Sequence, residues 1–334
     1  MMKQWQAFLA EQPRERDASP GGNCQLIDLT HLGLVAIQGA DAEAFLQGQL
    51  TNDIRELSPT RSQLSGHCSN KGRLLALFRM IRRDDTFYLQ IPAERVPDIL
   101  KRLSIFVLRS KVTLADASET CIRIGLAGED APRRLADQDL PVPEMENDVT
   151  AADGITLIRI PGDVPRFEIL GPFDPMRQLW ERLSDQSGVA NADTWRRLDI
   201  QAGLPNVYSE TAETFIPQML NLQHIDGVSF NKGCYTGQEV VARMQFLGKL
   251  KRRMYLAEAD LPAQPKPGDE LYASSSTSQQ GNGWIVDAAP LSEGRFALLA
   301  VAEIAAAESG ETRLGHDGPT LQLQPPPYGF PSKD

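Results

Sequence analysis

Strand-length apolar runs and amphipathic helical stretches are interleaved along this chain. They do not follow the strict strand–helix–strand alternation that builds a doubly wound parallel sheet, so the pattern restricts the fold to α+β. Leu74 to Arg82 and Thr86 to Ile91 read as a hairpin with Arg83-Asp84-Asp85 at its turn. Lys111 to Leu114 and Ile122 to Ala127 read as strands, and Ile155 to Ile160 with Phe167 to Leu170 as another strand pair. Helices are expected from Ala42 to Leu50, capped by Asp41, and from Ala93 to Phe106, where Val96, Ile99, Leu100 and Leu103 share a face. Ala131 to Ala136, Pro175 to Leu183 and Thr194 to Ala202 complete the helical set, the last ended by Gly203 and Pro205.

After Arg253 the texture changes. Met254 to Glu258, Glu270 to Ala273, Trp284 to Ala288, Phe296 to Ala302 and Thr320 to Gln324 are short strands separated by Pro265, Pro267, Gly268, Gly281 to Gly283 and Gly294. That spacing describes a small antiparallel β-barrel. With 334 residues, the length suits two domains, placed at 24–250 for two α+β lobes and 251–330 for the barrel. Met1 to Ala10 reads as a short helix, Glu11 to Asn23 as a linker, and Ser274 to Gln280 as a flexible loop.

Composition narrows the chemistry. The four cysteines, Cys24, Cys68, Cys121 and Cys234, include no CxxC pair, which excludes a zinc ribbon or thioredoxin-type motif and fits a reducing cytoplasm. The four histidines have no HxxxH spacing, so a self-contained metal site is not expected. A net charge of −10 argues against direct nucleic-acid binding. Arg243, Lys249, Lys251, Arg252 and Arg253 form a local basic run that suits either a solvated face or an anionic partner. No signal peptide or membrane span is read.

The segment Asn231-Lys232-Gly233-Cys234-Tyr235-Thr236-Gly237-Gln238-Glu239 stands apart. Thr236 and Glu239 have capping-box spacing ahead of Val240 and Val241, which predicts a helix with Thr236 as N-cap. Cys234 then lies near the positive end of the helix dipole, with Lys232 as a nearby cation. Both effects would lower a thiol pKa from its free value of about 8.5. Gly233 and Gly237 would leave room for a ligand to approach the backbone. The alternative is a cysteine that serves as a small buried hydrophobe.

Lys232-Gly233-Cys234-Tyr235-Thr236-Gly237-Gln238-Glu239 resembles the signature of the YgfZ family, folate-binding relatives of the glycine-cleavage T-protein. Trp195 to Pro205, Phe215-Ile216-Pro217-Gln218, Gly39-Ala40-Asp41, Phe45 to Asp53, His67-Cys68 and Lys71-Gly72-Arg73 are similar to further blocks of that family. The resemblance covers most of the first 250 residues. It implies a T-protein-like three-lobed fold around a folate-sized opening, closed without a second subunit, so the chain is expected to be a monomer. It implies tetrahydrofolate or a derivative as cofactor, with Trp195 linked to folate. It also implies an accessory role for iron–sulfur enzymes, including those that thiolate tRNA, through the motif cysteine. A transient iron–sulfur cluster at Cys234 would be shared with an A-type iron–sulfur carrier or a client enzyme.

The chain departs from the T-protein in ways that bear on activity. Ala76 and Leu77 occupy the places of its paired aspartates, which leaves no carboxylate for aminomethyl transfer. Pro161 to Glu168 replaces its GYTGE-like segment. Gln201 stands where many YgfZ relatives have glutamate, and Leu32 where some have tryptophan, so the folate contacts are expected to differ. The leading expectation is a folate-binding iron–sulfur accessory factor. The alternatives are a folate-dependent aminomethyltransferase and a non-catalytic folate-binding scaffold in which Cys234 is structural.

Overall fold

The structure, a computed structural model, describes residues 1–12, 23–273 and 281–330. Most of the expected linker from Glu11 to Asn23 and the whole Ser274 to Gln280 loop lie outside the described residues. The chain divides into two compact units: Met1–Glu43, Arg55–Gln63 and Arg79–Trp195 in the first, and Ala44–Ile54, Leu64–Phe78 and Arg196–Asp334 in the second.

The first unit contains a six-stranded sheet, ordered Gly188–Ala190, Gln25–Asp28, Ile122–Ala127, Arg166–Gly171, Ile155–Ile160 and Val149–Ala152. Only the Gly188–Ala190 edge pairs in parallel; the other pairings are antiparallel. Strand alternation gives this sheet two unlike faces. Leu26, Ile124, Leu126, Leu157, Phe167 and Ile169 point into an apolar core closed by the helices Met2–Ala10 and Phe173–Ser184. Trp5 of the N-terminal helix is fully buried there, edge-on to Trp180 at 5.6 Å, and its Nε1–H donates to Asp28 Oδ1 at 2.8 Å. The opposite face carries Arg123, Gly125, Arg166 and Glu168.

A five-stranded antiparallel sheet runs in the order Gln63–Cys68, Leu74–Arg83, Thr86–Pro92, Leu32–Gln38 and Thr113–Asp116; its residues 64–68 and 74–78 belong to the second unit. The expected hairpin is present, with Arg83 opposite Thr86 and Asp84 taking a positive φ of 52° at the turn. Val96–Val107 forms the amphipathic helix, burying Val96, Ile99 and Leu103.

In the second unit, Arg252–Asp260, Arg295–Glu303, Gly283–Ser292, Glu270–Ala273 and Thr312–Leu314 form a five-stranded antiparallel sheet. Its residues alternate between two cores. Leu298 and Ala300 face inward with Tyr255, Ala257 and Ile285. Ala297, Leu299 and Val301 face Leu74, Leu77, Phe215, Leu220 and Val241. The strand expected from Thr320 to Gln324 forms no ladder; Thr312–Leu314 supplies the fifth strand instead. Pro319 and the Pro325-Pro326-Pro327 run flank that segment and, lacking N–H groups of their own, stop the pairing from extending beyond it. It still bridges Arg313 through Thr320 and Leu256 through Gln324, so backbone hydrogen bonds connect the two edge strands. The sheet is thereby curled into an antiparallel half-barrel rather than a closed barrel, within a mixed α+β architecture.

Candidate functional site around Cys234

Cys234 is exposed, whereas Cys24, Cys68 and Cys121 are buried. Burial pushes the Cys24 thiol up to about 11 and the Cys68 thiol up to about 12, and raises Cys121 as well. The exposed cysteine sits on a loop whose frame is almost entirely buried. Lys232, two residues earlier, is 6% exposed, and its Nζ donates to the carbonyls of Gln47 at 2.8 Å, Leu50 at 2.6 Å and Asn52 at 2.8 Å. These oxygens belong to the end of the helix Ala42–Gln49 and the turn after it, where carbonyls lack intrahelical partners and favour a cation. An ammonium offers three donors, and here each finds an acceptor. The Tyr235 ring lies 5.1 Å from the same Nζ, and its own burial raises its phenol pKa.

Further bonds hold the receiving turn. Thr51 Oγ1 donates to Gly227 O at 2.7 Å and accepts from Gly66 N–H at 2.7 Å, while its carbonyl accepts from Ser229 N–H at 3.0 Å. Asn52 Nδ2 donates to Leu64 O at 2.9 Å and Asp226 O at 2.6 Å. The segment Phe45 to Asp53, the Lys71-Gly72-Arg73 turn and the cysteine motif are therefore parts of one constellation, all within the second unit.

One sequence expectation is corrected here. Thr236 does not cap the motif helix, which begins at Gln238 with Gly237 as N-cap and no side-chain cap. Gly237 takes a φ of +86°, and a Cβ there would stand 2.4 Å from Ser69 O, so only glycine fits and the capping box cannot close. Gly72, at φ +69°, makes the reciprocal approach, with a Cβ position 2.8 Å from Val240 Cβ. Gly237 is thus a packing glycine, whereas Gly233 has open space around it. Lys232, expected as a cation near the thiol, has its ammonium held by the three carbonyls, so it also anchors the loop.

Ala76 and Leu77 are 0% and 3% exposed, and Leu77 belongs to an apolar core, so no carboxylate stands at the T-protein aspartate positions. Gln201 is exposed at the end of the helix Ala192–Gln201, and Leu32 is 9% exposed in its strand.

Trp195 lies in the first unit and is 2% exposed. Its ring covers Gly125, where a Cβ would come within 2.5 Å, and the Arg166 guanidinium carbon lies 5.2 Å from its centroid. Glu168 pairs in register with Gly125 and is 1% exposed. Trp195, Arg166 and Glu168 therefore meet on the polar face of the six-stranded sheet, with fully buried Arg123 one pairing further along. Arg123 Nη1 donates to Cys121 O at 2.8 Å, while its Nε and Nη2 are buried without a hydrogen-bond partner. Sequence reading missed these charges because a strand such as Arg166-Phe167-Glu168-Ile169 has the alternation of a half-solvated strand, and nothing local shows that its polar side is covered. A second missed cluster lies in the second unit. Asp287, 2% exposed, accepts from Tyr208 Oη at 2.7 Å and stands 3.8 Å from Arg196 Nε; burial pushes its carboxyl up to about 7. An extra residue between Ile285 and Asp287 turns Asp287 to the same side as Leu299.

Among the described residues no group of three or more His, Cys, Asp or Glu side chains can hold a metal ion, and no helix is long and apolar enough to cross a membrane.

Residues 20–228 match the family described as the GCVT N-terminal domain. The fold matches the crystal structure of glycine cleavage system aminomethyltransferase T from Bartonella henselae with a TM-score of 0.73, at 18% identity over 92% of this chain and 86% of that one. Fold and domain together define a protein of the GCVT class. Proteins called tRNA-modifying protein YgfZ, from Escherichia coli O45:K1 (strain S88 / ExPEC) and Shigella boydii serotype 4 (strain Sb227), are each 32% identical over 327 residues, covering 97% of this chain and 99% of theirs. The chain belongs to the YgfZ family.

Proposed function

We propose that this protein is a folate-binding accessory factor for iron–sulfur enzymes, among them enzymes that modify tRNA, and that it acts through the Cys234 thiol. The observation that carries the reading is the placement of Cys234: a solvent-facing thiol on a loop clamped from beneath by Lys232. A buried structural cysteine has no use for such a frame. The tRNA-modifying name of the relatives supports the destination of the activity. Because no ligand set for a resident cluster exists among the described residues, an iron–sulfur cluster is cargo here, met by Cys234 together with thiols of a carrier or client.

The polar sheet face under Trp195 supports the folate assignment. A carboxylate on this face, at Glu168, has the acceptor chemistry a pterin edge requires, and the orphaned Arg123 donors suit a carbonyl-bearing ring. When bound, tetrahydrofolate would supply one-carbon or redox chemistry; the residues named here only bind and orient it. Aminomethyl transfer of the T-protein type is disfavoured by buried Ala76 and Leu77.

The test is rescue of iron–sulfur enzyme activity in a strain lacking the gene. A folded Cys234→Ala protein is expected to fail. Full rescue would favour the scaffold alternative, and folate-dependent ammonia release from glycine with a lipoylated carrier would favour the aminomethyltransferase.

A further inference from the structure

The helix that begins at the cysteine motif ends in an unusual way. Among the described residues of the second unit, Phe246 and Leu247 are the large hydrophobic side chains that stand exposed, at 69% and 85%, and they are neighbours in the chain. A single exposed leucine would carry no information, but an adjacent apolar pair on one helix end forms a patch. The Phe246 ring also meets Phe230 edge-on at 5.9 Å, and Phe230 lies four residues before Cys234. The patch and the thiol thus belong to one loop–helix unit. The ten-residue helix between them is about 15 Å long, which a single partner surface spans easily.

Cations flank the patch in sequence. Lys249 and Lys251 are exposed and make no side-chain ion pair among the described residues, and Arg243 lies one helical turn back, 3.1 Å from Glu239. Beside them a cavity of about 620 Å³ is lined by Lys249, Lys251 and Arg253 together with Glu303 and Glu308. On a chain of net charge −10 this is a local reversal of sign. A polyphosphate could meet the cations but has no use for exposed Phe246 and Leu247. A polypeptide with acidic and apolar side chains can satisfy both the cations and the apolar pair.

We propose that the end of the helix Gln238–Leu247, with Phe246, Leu247 and the sequence-adjacent cations Arg243, Lys249 and Lys251, is the docking surface for an acidic protein segment that carries apolar side chains. This rests on the reading of Cys234 as acting on a partner and names the chemistry of that partner. Docking at one end of the helix brings the partner to the thiol at the other.

The test uses the full chain and a fluorescein-labelled peptide in which leucines alternate with glutamates, followed by anisotropy. Oligoglutamate, bulk tRNA and phosphatidylserine vesicles serve as the other arms. Saturable binding of the leucine–glutamate peptide is expected, weakened at least about ten-fold by F246A/L247A and by K249E/K251E, and weakened by added salt. Oligoglutamate should bind more weakly, and less affected by F246A/L247A. Absence of saturable peptide binding, or binding that both variants leave unchanged, overturns the proposal. So does tight binding of tRNA or vesicles that both variants abolish, which would make the patch a nucleic-acid or lipid surface. Iodoacetamide labelling of Cys234 should proceed at the wild-type rate in F246A/L247A, so a failure of docking is separable from a failure of the thiol.

Discussion

Around Cys234 the charged group is buried and the sulfur is exposed; around Trp195 the charges and the aromatic ring are buried together. The first arrangement spends a buried ammonium on backbone carbonyls to hold a thiol at the surface, where a large molecule can reach it. The second encloses Arg166 and Glu168 beneath a tryptophan, which suits recognition of a small polar ring by a few directed hydrogen bonds. Under the proposed function, one chain carries two kinds of preparation for binding: a rigid support under an accessible atom, and a covered polar floor.

The contrast is sharpest for the thiols. Because burial holds Cys24 and Cys68 up at about 11 and about 12, iodoacetamide at pH 8 should alkylate Cys234 at least about 100-fold faster than either. Mass-spectrometric time courses measure this, and comparable labelling of Cys68 would mean that its core opens readily. The frame is probed next. Lys232→Met leaves three buried carbonyls without their donor and should cost about 3 kcal/mol in denaturant unfolding, whereas Cys234→Ala should cost less than about 0.5 kcal/mol. Equal midpoints for wild type and Lys232→Met would end the idea of a clamped loop.

On the Trp195 side the effects are smaller. Trp195→Phe weakens the contact with Arg166 and should lower stability by about 1 kcal/mol. The same change should remove most of the quenching of tryptophan emission by tetrahydrofolate; quenching that persists unaltered would separate Trp195 from the folate site. A pH-dependent effect concerns Asp287. Its carboxyl is raised to about 7 in the folded protein, while an unfolded aspartate titrates near 3.9. Between those values the folded state holds the extra proton, so this group's contribution to stability falls as pH rises from about 4 to about 7. Asp287→Asn keeps an acceptor for Tyr208 and should flatten that part of the melting-temperature profile; a parallel profile would place the slope elsewhere.

Much of this was legible in the residues. The Thr86 hairpin, the amphipathic helix ending at Val107 and the C-terminal antiparallel strands follow from local periodicity and turn chemistry, because their partners are close in sequence. The cysteine motif stands out in the residues as a candidate site. Its support was not, because Lys232 meets oxygens 180 to 185 residues away and no local rule predicts that. The capping box at Thr236 failed for a similar reason: the backbone at Gly237 is set by Ser69, which belongs to a distant turn. The tail from Thr320 to Gln324 has the apolar alternation of a strand, but prolines on both sides limit it to bridges.

The clamp on the cysteine loop has a consequence during synthesis. Gln47, Leu50 and Asn52 leave the ribosome well before Lys232, separated by 180 residues or more, which at ordinary translation speeds is roughly 10 to 40 s. Throughout that interval the carbonyl cradle has no ammonium to fill it. The nascent N-terminal half must therefore rely on water or a chaperone at that turn, and the thiol reaches its working position only in the last third of translation.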